Sequence, residues 1–300
     1  MTAGQTIGFI GLGVMGGPMC RNIAKKHDDR LLVFDRDRDA VAALSDTKAI
    51  AASSVEALAA AADFIFLSLP GGPQVEAVCR AIPGSAKPGT FVVDLSTTPV
   101  SVARDVGNRL KAAGLEFADA PVARTREAAQ RGELSIMVGA EAAVFHRVKP
   151  LLEMIGSDVT HCGEIGCGQV VKLINNALVF ENTLALAEMM VVGERAGVAS
   201  QTLLNAVSKG SGDSFVLRNH GMKAMLPRHF PEKAFPPEYV LKDLGYLLQL
   251  AADMGVRADV ALLARRCYEA ACRQGLSGRY FPGVIEFIEK GGAVDDGQKT

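Results

Sequence analysis

Residues 6–35 read TIGFIGLGVMGGPMCRNIAKKHDDRLLVFD. A short apolar run stops at glycines, a helical pattern follows through Lys26, and a second apolar run ends in an acid. This is strand, glycine turn, helix, strand, acid: the order of a dinucleotide-binding unit. Gly11 makes the tight turn, Gly13 lets the backbone approach a pyrophosphate, and Gly16 lets the helix pack on the strand. With Leu12, Val14 and Met15 they form the loop that leads into the helix N-terminus, whose N–H groups and positive dipole end suit phosphates. Asp35 suits the two ribose hydroxyls of NAD and repels the 2′-phosphate of NADP. Arg36 and Arg38 follow it and could reach that phosphate, so NAD is expected and NADP remains open.

Outward from this unit the alternation continues. Strand patterns at 63–70, 90–97, 115–122 and 134–140 alternate with helical patterns at 52–62, 73–81, 99–113 and 141–155. Such a chain forms a doubly wound sheet with helices on both faces, and ligands sit beyond the carboxyl ends of its strands. Four strand ends then converge on one crevice: Gly11–Gly16, Leu69-Pro70, Ser96-Thr97 and Pro121–Thr125. Residues 156–168 read as a turn-rich linker with at most one short strand. Beyond them every pattern is helical, except the four-proline loop at 226–237. The expected domains are therefore 1–164, binding a dinucleotide, and 165–300, helical. The tail after Glu289 reads as loose.

The stretch GCGQVVKLINNALVFENTLALAEMMVVGERAG (166–197) has no proline and reads as one long helix joining the two. It is apolar nearly all round, which predicts burial between two bodies of protein. Lys172, Asn176 and Thr183 fall within about 40° of one another at 100° per residue, with Asn175 to one side. A lysine and two asparagines in such a helix need a ligand or polar partner. Gly166 and Gly168 allow a close approach to the backbone before Lys172.

Bulk properties narrow the function. Lys plus Arg is 32 and Asp plus Glu is 33, so no basic field points to nucleic acid. The most apolar window, Ala177 to Gly193, contains Glu181, Asn182 and Glu188, which argues against a bilayer span. Six scattered cysteines show no metal-ligand spacing with histidine and suggest a reducing compartment. With the apolar pattern starting at Ile7 leaving little room for a leader, a cytoplasmic location is expected.

Four segments together resemble the β-hydroxyacid dehydrogenases, relatives of 3-hydroxyisobutyrate dehydrogenase and tartronate semialdehyde reductase. GFIGLGVMGGPMCRNI (8–23) resembles the family's cofactor fingerprint, and FADAPVARTREAAQRGELSIMVGA (117–140) its substrate segment. GCGQVVKLINN (166–176) resembles its catalytic motif, and KDLGYLLQLA (242–251) its second cofactor segment. The resemblance covers nearly the whole chain. It implies a Rossmann-type domain followed by an all-helical one, and a homodimer or homotetramer packed through helical domains. It implies that Lys172 is the catalytic lysine, that Asn176, beside Asn175, holds substrate, and that Lys242 closes over the cofactor. Thr97 and Leu69-Pro70 then line the nicotinamide side.

The chain departs from the family at one place. Where most members carry Ser-Gly-Gly after Asp-Ala-Pro-Val, this chain has Ala123-Arg124-Thr125, similar to the sulfolactaldehyde reductase and γ-hydroxybutyrate dehydrogenase branch. A guanidinium fork fits a carboxylate, sulfonate or phosphate, and Thr125 adds a hydroxyl. The expected reaction is NAD-dependent interconversion of a small anionic aldehyde and its hydroxy acid, of the sulfolactaldehyde or succinic semialdehyde type. The alternatives are a 3-hydroxyisobutyrate or tartronate semialdehyde dehydrogenase, or a cofactor-binding homologue without catalysis. The presence of Lys172 weighs against the last, and against an imine reductase.

Overall fold

The computed structural model describes residues 4–232 and 234–293. Of the tail expected to be loose, residues 294–300 lie outside the described part. The first half alternates as its patterning predicts: β1 (Ile7–Ile10), α1 (Gly16–Lys26), β2 (Leu31–Phe34), α2 (Arg38–Ala42), β3 (Ile50–Ala51), α3 (Val55–Ala61), β4 (Phe64–Leu67), α4 (Gly72–Ala81). It continues with β5 (Phe91–Asp94), α5 (Val100–Ala112), β6 (Glu116–Asp119), β7 (Val122–Ala123), α6 (Arg126–Arg131), β8 (Leu134–Gly139), α7 (Ala142–Leu152) and β9 (Gly156–Gly163).

One sheet runs β3-β2-β1-β4-β5-β6-β8-β7, with β9 added beside β8. Strands β1 to β6 pair in parallel, and β8 runs antiparallel to β6 and β7. Side chains alternate between faces, so each central strand feeds two cores. Ile7, Phe9, Phe64 and Phe66 join Met19 and Ile23 of α1 and Val148 of α7. Ile10, Ile65 and Leu67 join Leu58 of α3, Val75 of α4 and Leu110 of α5. A strand buried on both faces reads as a continuous apolar run, as these do.

The registers place Ile10 beside Leu67, Leu67 beside Asp94, and Asp94 beside Asp119. The carboxyl ends of β1, β4, β5 and β6 are therefore level, and the loops after them leave from one sheet edge. The segment 156–168 departs from its linker reading. Gly156–Gly163 is an eight-residue strand paired in parallel with β8, with two register irregularities. Its glycines, serine and aspartate are turn formers, and only the ladder to β8 makes it a strand.

The helical half comprises α8 (Cys167–Arg195), α9 (Ser200–Val207), a π-helical stretch at Leu217–Met225, α10 (Pro237–Asp253), α11 (Asp259–Ala271) and α12 (Val284–Glu289). The proline-rich loop makes an antiparallel bridge, Glu232 with Arg279. The chain divides into compact units Met1–Lys172 and Leu173–Thr300, so the division falls inside α8, past the expected 164/165 boundary.

Within the second unit Ala177, Phe180, Leu184, Ala187 and Val191 recur at spacings of three and four and enter the core with Val240, Leu244, Ala264 and Tyr268. The opposite side of α8 is open in this chain: Ile174, Leu178, Met189 and Val192 are 47–58% exposed. The all-round burial expected from composition is thus corrected to burial of one side. By length and apolarity alone α8 could cross a bilayer. Glu181, Asn182 and Glu188 interrupt it, and its buried side is part of the helical core.

Candidate active site

The glycine loop has the form its sequence predicts. Gly11 has φ +95°, and a Cβ there would stand 2.2 Å from the Ser68 carbonyl oxygen. A Cβ on Gly16 would stand 2.0 Å from the Gly11 carbonyl oxygen. A Cβ on Gly13 would meet nothing within 4 Å, so the main chain there faces open space that an approaching phosphate can use. Helix α1 begins with no side-chain cap, and the Gly17 N–H is taken by the Gly13 carbonyl at 2.9 Å, so an anion would be received by the loop at the positive end of the helix. Leu12 is buried and Val14 is exposed, with Met15 half-buried between loop and helix. Asp35 accepts the Leu12 N–H at 2.6 Å and the Asp37 N–H at 2.9 Å. It thereby ties the end of β2 to the loop, and each oxygen keeps a lone pair for a ribose hydroxyl. Arg36 is exposed beside it.

Lys172 is placed by two residues that pattern reading passed over. Asp119 ends β6 with 0% exposure. Its Oδ1 accepts the Gly166 N–H at 2.6 Å and its Oδ2 the Gln169 N–H at 2.8 Å. A carboxylate from the sheet thus caps the start of α8, where the helix dipole favours negative charge. Gly139 and Gly168 make the approach possible: a Cβ on either would fall within 2.8 Å of the Asp119 carboxylate. The closeness that these glycines allow is therefore used by the protein's own sheet. Gln169 reaches the other way, to the main chain of Ser96 and Thr98. Ser96 Oγ accepts the Leu69 N–H at 2.9 Å. Leu69, Pro70 and the half-buried Thr97 consequently stand on loops linked to the turn that carries Lys172, itself only 8% exposed.

In the helical unit, Asn175 donates to Asn176 Oδ1 at 3.1 Å, and Asn176 donates to Asp243 Oδ2 at 2.7 Å. Asp243 Oδ1 meets the Lys242 ammonium at 3.3 Å, an ion pair rather than an aligned hydrogen bond. That ammonium also lies 5.4 Å and 5.6 Å from the ring centres of Tyr239 and Tyr246. Asp243 is buried and joins an asparagine of the catalytic-type motif to the lysine of the second cofactor segment. Thr183, fully buried on the same stripe of α8, donates to the Val179 carbonyl and is satisfied within the helix.

Arg124 differs from expectation. Its guanidinium is not free for a substrate anion: it donates to the Glu133 carbonyl at 2.6 Å, to Ser157 Oγ at 2.9 Å and to Asp158. Its backbone has φ +87°, a region that disfavours any residue with a Cβ. The bonds to Ser157 and Asp158 follow from β9 lying beside β8, which brings those two residues within reach. Ala123 is buried in β7, and Thr125 caps α6 by accepting the Ala128 N–H at 3.3 Å.

Comparison with known proteins adds the family. Residues 6–163 match the NAD binding domain of 6-phosphogluconate dehydrogenase. Residues 166–288 match the NAD-binding domain of NADP-dependent 3-hydroxyisobutyrate dehydrogenase. The 2-(hydroxymethyl)glutarate dehydrogenase of Eubacterium barkeri is 34% identical over 97% of this chain and 98% of its own. This chain belongs to the β-hydroxyacid dehydrogenases. The mitochondrial 3-hydroxyisobutyrate dehydrogenase of Mus musculus is 30% identical, covering 97% of this chain and 89% of its own. The solved structure of Mycobacterium tuberculosis 3-hydroxyisobutyrate dehydrogenase with L-serine has a TM-score of 0.88 at 27% identity, over 95% of this chain and 99% of that one. As a family member the protein is an NAD(P)-dependent oxidoreductase.

For this dehydrogenase, Asp119, Gln169 and Asp243 are the functional candidates that pattern reading missed. The available signal was polarity in apolar context: an acid closing FAD (117–119), and a glutamine between glycines and valines. Burial raises the Asp119 carboxyl from 3.8 to about 6, against the lowering effect of the Gly166 and Gln169 N–H groups and of Arg104. The folded state therefore holds this proton to higher pH than the unfolded chain, and stability from this group falls as pH rises from 3.8 through 6. The limiting slope is about 1.4 kcal/mol per pH unit. Thermal melts should show the wild type losing ground to Asp119→Asn between pH 4 and pH 6.5. A difference in Tm that does not change with pH would show that Asp119 is already ionised in acid.

Proposed function

We propose that this enzyme interconverts a small anionic aldehyde and the corresponding hydroxy acid, with NAD as cofactor and Lys172 as general acid and base. The observation that carries the reading is Lys172 itself, a buried lysine on a helix start that Asp119 and Gln169 fix to the sheet edge. When bound, the nicotinamide supplies or accepts the hydride. In reduction the carbonyl oxygen gains negative charge, and the Lys172 ammonium both stabilises that charge and donates a proton to it. In oxidation the neutral amine takes the hydroxyl proton. Asn176, oriented by Asp243, holds substrate, with Asn175 bonded to it. Lys242 covers the cofactor from the second segment, and Gly11–Gly16, Leu69, Pro70 and Thr97 receive the rest. The Asp35 charge supports NAD over NADP, because a 2′-phosphate would meet it.

Lys172→Ala should lower kcat by at least about 10²-fold while NADH affinity barely changes. The wild type should show a higher kcat/KM with NADH than with NADPH. Near-normal turnover in the variant would remove Lys172 from the chemistry, and preference for NADPH would overturn the reading of Asp35.

The finer reading is a sulfolactaldehyde or succinic semialdehyde reductase, in which Arg124 leaves Asp158 to grip the distal anion. The Arg124–Asp158 pair is 40% and 55% exposed at its side chains. Such a pair by itself contributes about 0–1 kcal/mol, against roughly 1.5–3 kcal/mol for a charge-assisted bond to substrate, with the bonds to the Glu133 carbonyl and Ser157 to be replaced as well. The name of the Eubacterium barkeri relative also describes a hydroxy acid with a second, distant carboxylate. The rival reading is a 3-hydroxyisobutyrate or tartronate semialdehyde dehydrogenase, favoured by the observation that the guanidinium is already held. Arg124→Ala should cost kcat/KM about 10- to 150-fold for the anionic substrate and little for a neutral aldehyde of equal length. Equal losses for both would assign Arg124 to loop shape and support the rival.

We further propose a homodimer or homotetramer in the cytoplasm. The open apolar side of α8 supports assembly between copies, and the cysteines, all free thiols, suit a reducing compartment. Sedimentation velocity should give a species of at least twice the chain mass; a monomer at micromolar concentration would refute assembly.

A further inference from the structure

Gln169 is fully buried, with 0% exposure, in the first turn of α8. Its Oε1 accepts the Thr98 N–H at 3.0 Å, and its Nε2 donates to the Ser96 carbonyl at 2.8 Å. The two bonds bracket Thr97. A carboxamide offers one acceptor and one donor, the same pair that a neighbouring strand would offer this segment. A carboxylate lacks the donor, and a hydrocarbon of the same length lacks both. The Ser96 hydroxyl is turned to the Leu69 N–H, and the Ser96 N–H to Asp94 Oδ1 at 2.9 Å. Lys172 follows Gln169 by three residues, close to one turn, so the two side chains leave neighbouring points of one helix face.

The geometry points to Gln169 as a positioning residue that sets the spacing between Lys172 and the Thr97 loop. This rests on the reading of Lys172 as the acid and base. Proton transfer needs the ammonium near the oxygen while the hydride moves, and misplacement by about 1 Å costs on the order of 10²-fold in rate. Gln169 touches neither substrate nor cofactor in this account, and its effect passes through Lys172. Asp119 fixes the height of the same turn above β6; Gln169 fixes its relation to β5.

The test uses Gln169→Met, which keeps length and removes both bonds, and Gln169→Asn, which is one methylene short and reaches at most one partner. Each is compared with Lys172→Ala and with the double variant carrying Lys172→Ala. Hydrogen exchange over residues 96–98 and NADH binding by fluorescence are measured beside the kinetics. The expected result is a fall in kcat of about 30- to 100-fold in Gln169→Met, with NADH Kd changed less than about threefold. Exchange at Thr98 should accelerate, and the double variant should be no slower than Lys172→Ala alone. Gln169→Asn should fall between wild type and Gln169→Met, and carries the comparison if the methionine variant fails to fold. Normal kcat despite faster Thr98 exchange overturns the inference, as do losses that multiply in the double variant. If Lys172→Ala itself turns over normally, the reading of Lys172 fails and this inference fails with it. An inactive Lys172→Ala beside a fully active Gln169→Met refutes the inference alone.

Discussion

The buried carboxylate of Asp119 holds the start of α8 against the sheet. Its two oxygens take the N–H groups of Gly166 and Gln169, which the helix itself cannot satisfy. The contact is close because Gly139 and Gly168 carry no Cβ. It is also costly, since the carboxyl is pushed up to about 6 by desolvation. A buried acid kept at such cost is a feature of functional sites. Here, with Gln169, it places the turn on which Lys172 stands.

The remaining order in the nucleotide-binding unit follows from parallel registry. Because β1, β4, β5 and β6 end level, the glycine loop, Leu69, Thr97 and Asp119 leave from one edge. Hydrogen bonds then lock the loops in sequence: Asp35 to Leu12, Ser96 to Leu69, Gln169 to Ser96 and Thr98. Each is a side chain satisfying a main-chain group at a strand end, where the ladder has stopped and nothing else can. The helical unit repeats the device on a smaller scale, with buried Asp243 orienting Asn176 and pairing with Lys242.

Arg124 shows how a substitution is read differently in space. In sequence it is a new cation at a strand end, and a substrate anion is its natural partner. In the fold it occupies a left-handed backbone position that suits glycine, and its guanidinium reaches Ser157 and Asp158. Those partners sit on β9, an eight-residue strand in a segment whose turn-forming residues suggested one short strand at most. The contest is between the three bonds that the guanidinium makes in the fold and a charge-assisted bond to substrate. The role of Arg124 is therefore set by which partner it holds during turnover.

The sequence by itself determined the architecture and the family. Apolar runs of four residues ending at glycines or acids, helical patterns between them, and four motifs in order suffice, because local chemistry and periodicity act over a few residues. It also marked Lys172, Asn176 and Thr183 as one stripe of α8, and all three are buried. Tertiary structure alone decided what orients Asn176 and what holds the start of that helix. Asp119 lies 47 residues from Gly166, and Gln169 lies 71 from Thr98; no spacing rule links such pairs. It also decided that α8 buries only one side within this chain, and that 156–163 is a strand. Both outcomes depend on which neighbour supplies the missing surface or hydrogen-bond ladder, and a linear pattern does not contain that neighbour.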